Sequence, residues 1–221
     1  MSTSLLRRLA PALLLLAVAC ARAADTPPGY ALATPHPLAT AAGAEILDEG
    51  GNAFDAAVAV SAVLTVVASQ STGIGGGGFF LLHRQADGLD VLADGREVAP
   101  RAATATMFVG PKGVVDPKAS LEGPRAAAIP GLPALWQHLA QKYGSKPLAR
   151  LLAPAIRIAR EGFTVDEPKA KMLAEFASHF SPAAKAALFP DGQPPAAGAV
   201  LKQPDLAATL EAVSRDGRAG F

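Results

Sequence analysis

Cysteine is nearly missing from these 221 residues, Cys20 being the only one. A disulfide within the chain is therefore excluded, and so is a zinc site of the multi-cysteine kind. Aromatic residues are scarce, at 5% of the chain with a single Trp, while Gly numbers 21 and Pro 19. Such a composition implies close backbone packing and many turns rather than a core built on large rings. An excess of either charge is lacking too: 20 Lys and Arg stand against 19 Asp and Glu. No basic field suited to nucleic acid exists, and no charged tail. Several chemical signatures are also absent: there is no G-x-S-x-G elbow, no H-E-x-x-H helix and no P-loop spelling. Neither a metal nor a cofactor is implied. His36, His83, His138 and His179 are scattered and read as surface or local structural residues.

What is present suits a globular protein. Half of the residues are hydrophobic, enough to bury a core in one or two domains. The amino terminus differs from the rest: Arg7 and Arg8 precede the apolar run Leu13–Val18, and small residues follow around Ala21-Arg22-Ala23. This pattern predicts a secretory signal peptide over residues 1–23 and a periplasmic or extracellular mature protein. The run is shorter than the about 20 residues that span a bilayer. Cys20, after Ala17-Val18-Ala19, opens a second reading as a lipid-bearing terminus, although Ala17 stands where lipoprotein signals usually carry Leu.

After an extended, Pro-rich lead-in (residues 25–37), the pattern predicts a helix from Pro37 that stops at Gly50-Gly51. Asn52 is placed to cap a second helix over 53–68, with Asp55 answering it as a short capping box. That helix is apolar on every side and has about 16 residues, the mark of a buried helix rather than a membrane span. Residues 79–84 and 89–93 read as strands joined through Asp87-Gly88, a strong hairpin signal. A mostly irregular Pro-containing stretch follows. Helices are then expected over 133–143 and 147–161, the latter bent at Pro154 and wet along Arg150, Arg157 and Arg160. Two weaker helices, 168–180 and 204–215, flank a loop over 189–197. Residues 216–221 show no closing element.

Two features carry chemistry. Gly73-Ile74-Gly75-Gly76-Gly77-Gly78 spells G-x-G-x-x-G, yet a dinucleotide turn needs a strand before it and a helix after it, and here the predicted order is reversed. The remaining readings are a backbone forced close to another element, or one in conformations that only glycine adopts. Arg96, just past the second strand, has the planar fork that grips a carboxylate through two parallel hydrogen bonds. Spacing alone favours an internal pair of Arg96 with Asp94 or Glu97 instead.

Several segments together resemble the gamma-glutamyltranspeptidase family in order and spacing: Ala33–Ala39, Gly50–Ala59, Gly73–Gly77, Asp94–Pro100, Ile129–Gly131, Pro154–Ile156 and Glu161–Phe163. The resemblance covers nearly all of residues 24–221. It implies an α/β (α+β) chain, part of an Ntn-hydrolase αββα sandwich that is incomplete here, made as a precursor that cuts itself into a large and a small subunit. It further implies that an amino-terminal Thr of the small subunit attacks the gamma-glutamyl amide of glutathione or a related donor, and that water or an acceptor amino acid or peptide resolves the acyl-enzyme. Such a Thr supplies both the hydroxyl and its own amine as base. Arg96 stands where the family's Arg binds the glutamyl alpha-carboxylate. No Thr-Thr-His-Phe-like segment occurs, so the expectation is an inactive amino-terminal portion of the large subunit, with no catalytic residue of its own. A cephalosporin or glutaryl acylase of the same superfamily and a non-catalytic exported binding protein are the competing expectations.

Overall fold

The computed structural model describes residues 29–221, so the segment 1–23 expected to be a signal peptide and Cys20 lie outside the described residues. The chain divides into Met1–Leu32 and Ala33–Phe221, and the second unit is described below. Helix α1 (Pro37–Asp48) starts where Pro first permits it: Pro37 is pre-set for the first turn, and the His36 ring caps it, Nδ1 accepting from the Leu38 amide at 3.2 Å. It ends at Gly50, whose φ of 78° is left-handed. Two residues later Asn52 Oδ1 accepts from the amides of Phe54 and Asp55, and Asp55 Oδ2 accepts from the Asn52 amide at 2.9 Å. The box closes with Asp in place of Glu and starts α2 (Ala53–Val67).

Helix α2 is apolar all round because helices surround it. It packs against α1, α3 (Leu132–Lys142) and α4 (Leu148–Glu161). Val58, Ala59, Ala62, Val63 and Val66 lose all solvent contact in one core with Trp136, Leu139, Leu151 and Leu152. Each fully buried Leu or Val contributes roughly 1.5–3 kcal/mol. The Trp136 indole N–H donates to Ser61 Oγ at 2.9 Å, so the largest core side chain has its polar atom satisfied. Among the described residues no helix is long and apolar enough to cross a membrane. Helix α4 continues through the buried Pro154. Arg157 and Arg160 are exposed as expected and Arg150 is half-buried; Arg150 reaches Glu45 and Glu49 of α1, and Arg157 also reaches Glu45.

Strands β1 (Phe79–Arg84) and β2 (Leu89–Asp94) form the expected antiparallel hairpin, Arg84 opposite Leu89, with Gly88 at φ 65° in the turn. Residues 95–130 are irregular apart from two isolated bridges and a 3-10 turn at Pro124–Ala126.

Further on, the structure departs from the pattern reading. A two-residue strand β3 (Phe163–Thr164) pairs antiparallel with β4 (Val200–Leu201), too short to leave a periodic signal. The expected helix 168–180 is α5 (Glu167–Glu175) followed by a 3-10 turn, Ala177–His179. Chain direction then changes at Ser181-Pro182, since the residue before Pro avoids the helical region. Ser181 Oγ caps a new helix α6 (Pro182–Leu188) by accepting from the Ala184 amide. Helix α7 (Pro204–Asp216) packs on α4. A closing element does exist: the 3-10 turn Gly217–Gly220 packs on α7 and α3, and the Arg218 amide donates to Gln137 Oε1 at 2.7 Å.

Candidate functional site

The hairpin ladder runs one pair beyond its strands. Gly78 and Gly95 exchange backbone hydrogen bonds, 3.3 Å from the Gly78 amide and 3.0 Å from the Gly95 amide. The segment after Gly95 is then held from a second side: Val98 and Ile129 exchange bonds of 3.2 and 2.9 Å, while the amides of Gly131 and Leu132 both donate to Gly76 O. Side chains have no room in this sandwich. A Cβ on Gly77 would meet Gly95 O and stand 2.8 Å from Arg96 Cα. One on Gly131 would meet the same Gly95 O from the other side, and one on Gly95 would stand 2.6 Å from Leu135 Cδ2.

The glycine run therefore provides room: none of its glycines is left-handed, and Gly77 is the one that another backbone presses. Helix α2 precedes the run and β1 follows it, the reverse of a dinucleotide turn. Gly75 and Gly78 have open space where a side chain would be, and nothing in the described chain explains them.

Arg96 emerges from the clamped backbone exposed. Its expected internal partners are both turned away. Asp94 Oδ1 accepts from the Arg96 backbone amide at 2.9 Å, not from the side chain. Glu97 lies over the glycine run, its Oε1 3.1 Å from where a Gly76 Cβ would be. Among the described residues the Arg96 guanidinium joins no ion pair. It lines a cleft of about 510 Å³ with Asp94, Pro130, Leu135, His138 and Lys142. Two fixed cations and an imidazole against one carboxylate favour an anion there, and a guanidinium not already paired can form both parallel bonds to it.

His138 and Lys142 were not singled out by the sequence, although their i, i+4 spacing on α3 places both on one helix face. His138 also lies edge-on to Tyr143, centroids 6.1 Å apart. The other histidines are local: His36 caps α1 and burial lowers its pKa, while the Asp90 bond at 2.8 Å raises that of His83. His179 lies beside Phe176. Sequence reading also missed the surroundings of two buried groups. Asp55 takes bonds from Ser145 N, Ser145 Oγ and Lys146 N besides its cap. Lys169 is fully buried, and Asp166 Oδ1 accepts from its backbone amide at 2.9 Å. Among the described residues no cluster of three or more His, Cys, Asp or Glu is placed to hold a metal.

Known proteins share this fold. The structure of the Helicobacter pylori gamma-glutamyltranspeptidase superposes with a TM-score of 0.84 at 40% identity, over 89% of this chain and 57% of that one. The fold is thus that of the amino-terminal region of an Ntn-hydrolase, here an α+β body carrying two separate two-stranded sheets. The chain belongs to the gamma-glutamyltranspeptidase family, whose profile matches residues 39–221. Among curated relatives, a glutathione hydrolase proenzyme of Escherichia coli is 40% identical over 81% of this chain and 31% of its own length. An ACY 1 acylase proenzyme of a Pseudomonas strain is 40% identical over 83% of this chain and 34% of its own. The chain spans about a third of the curated relatives it matches.

Proposed function

We propose that this chain is the front part of the large subunit of an exported enzyme that moves the gamma-glutamyl group of glutathione, or of a related donor, to water or to an amino acid or peptide. The nucleophilic Thr belongs to a small subunit cut from the same precursor, outside these residues. Arg96 holds the donor's alpha-carboxylate. The observation that carries this reading is a guanidinium without an ion pair, fixed by its main chain beside an open cleft. The proenzyme names of the relatives support processing of a precursor. The outer face of the hairpin, with Leu81 80% exposed beside Phe79 and Leu92, suits cover by that small subunit.

Release of a chromophore from a gamma-glutamyl anilide by the complete protein tests the reading. Arg96→Ala and Arg96→Lys should each lose roughly 10- to 100-fold in kcat/KM, most of it through KM, since a charge-assisted bond is worth about 1.5–3 kcal/mol and Lys lacks the fork. Unchanged kcat/KM removes Arg96 from the substrate.

The acylase relative favours a second reading, hydrolysis of a glutaryl amide. A glutaryl group carries its free carboxylate at the same distance from the amide and lacks only the amine, so Arg96 serves either donor. Competition between gamma-glutamyl and glutaryl anilides decides between them. Export rests on the leader, with a lipid on Cys20 as its variant, and mass spectrometry of the mature amino terminus tests both.

A further inference from the structure

Lys169 is the third residue of α5, and its side chain is fully buried. Buried lysines ordinarily pair with a carboxylate, yet among the described residues this one joins no ion pair. Asp166, the nearest acid acting on it, uses Oδ1 on the Lys169 backbone amide. His36, across from it, is kept toward its neutral form by its own burial. The amine instead lies 2.9 Å from Ser69 Oγ, 3.5 Å from Gln70 Oε1 and 5.5 Å from the centroid of the Phe163 ring.

Ser69 differs from its partner in being half-exposed, and it opens on a cavity of about 910 Å³. Its lining is largely apolar, with Leu173, Phe176, Phe180, Leu188 and Leu206, and His179 is the titratable side chain in it. Gly73 and Gly75 line the same cavity, and their amides make no hydrogen bond among the described residues. The hydroxyl of a half-buried serine within hydrogen-bond reach of a buried amine, unspent amides nearby and a largely apolar chamber are the parts of a serine nucleophile with a lysine base.

We propose that Ser69 and Lys169 form a nucleophilic pair that takes the acyl group of a carboxylic ester, with the hydrocarbon chain of the acyl group in the adjoining cavity. In the neutral form the Lys169 amine accepts the Ser69 proton as Oγ bonds to the ester carbon. The bond from that carbon to the alcohol oxygen then breaks, and Lys169 returns the proton to the leaving alcohol. Water resolves the acyl-serine by the same route, its proton passing through Lys169 to Ser69 Oγ, so acid, alcohol and free enzyme result. Burial lowers the amine to a pKa of about 8, so the base form is present at mildly alkaline pH. The proposal does not rest on the gamma-glutamyl reading.

An alkyl fluorophosphonate, which marks a serine by losing fluoride, tests the pair in the full chain, with the marked residue located by peptide mass spectrometry. Marking is expected on Ser69, absent in Ser69→Ala and slower by about 100-fold or more in Lys169→Met, which fills the buried site without a base. The rate in the parent protein should rise with pH around 8, and p-nitrophenyl octanoate should be cleaved faster than the acetate. An unmarked Ser69 overturns the proposal, as does marking at an unchanged rate in a folded Lys169→Met, which would leave the contact as a tie between loop and helix. Should Lys169→Met not fold, the pH profile decides: a rate flat from about pH 6 to 10 removes the base.

Discussion

The helical body around α2 and the region from β1 to Gly131 dispose their apolar residues in opposite ways. Around α2 the large side chains point inward, and the polar groups among them, such as Asp55 and the Trp136 indole, have partners. The hairpin turns Phe79, Leu81 and Leu92 outward, and the stretch that follows exposes Val98, Val114, Val115 and Leu121. One region is a finished core. The other is a surface with exposed apolar side chains, and Arg96 belongs to it.

Substitutions test that contrast, beginning with the body. Asp55→Ala removes a fully buried carboxylate and leaves the amides of Asn52, Ser145 and Lys146 without their acceptor. A loss of about 3 kcal/mol or more is expected, read as a lower urea midpoint at constant m. A loss below about 1 kcal/mol would mean that the body is not the closed unit described.

Gly131→Ala strikes the junction, where its Cβ runs into Gly95 O. It should cost about 1–3 kcal/mol and move Arg96, so anilide turnover falls although no substrate-binding side chain has been altered. Full activity would show that the clamp does not place the guanidinium.

A smaller effect is expected from Glu45→Gln at the body's surface. Burial raises the Glu45 carboxyl, but the bonds from Arg157 and Arg150 outweigh it and leave the pKa below its ordinary value of 4.5. The carboxylate therefore stabilises the fold above that pH, and the contribution fades as acid protonates it. The variant should lose about 1 kcal/mol at neutral pH and match the parent in acid, in paired melts.

Least of all is expected from Asp90→Asn on the hairpin's outer face. It should lower the His83 titration seen by NMR toward its ordinary value while the melting temperature stays put, because the pair is exposed and acts only while His83 is protonated. A clear drop in melting temperature would show that the outer face is structured more firmly than its exposure suggests.

What the sequence made legible follows the same division. The cap at Asn52, the hairpin turn and the α4 stripe are local and periodic signals, and each appears within a residue or two of its expected place. Helix α6 after the Ser181 cap is equally local, yet the expected helix 168–180 stops just before it and residues 181–188 are given no element. Long-range pairings left no such trace: β3 with β4, Asp55 with Ser145, and Lys169 with Ser69 join residues separated by tens of positions. At Arg96 the spacing pointed to Asp94 as partner, and only the path of the backbone shows Asp94 used on an amide instead.

The meeting of Gly77, Gly95 and Gly131 has a consequence for mutational tolerance. If each of the three were replaced in turn by all other residues, the most intolerant positions near Arg96 would be those that offer a ligand no side chain at all, since even a methyl group overlaps main-chain or helix atoms. A map of damaging variants would then trace the hollow around a carboxylate grip more sharply than the grip itself.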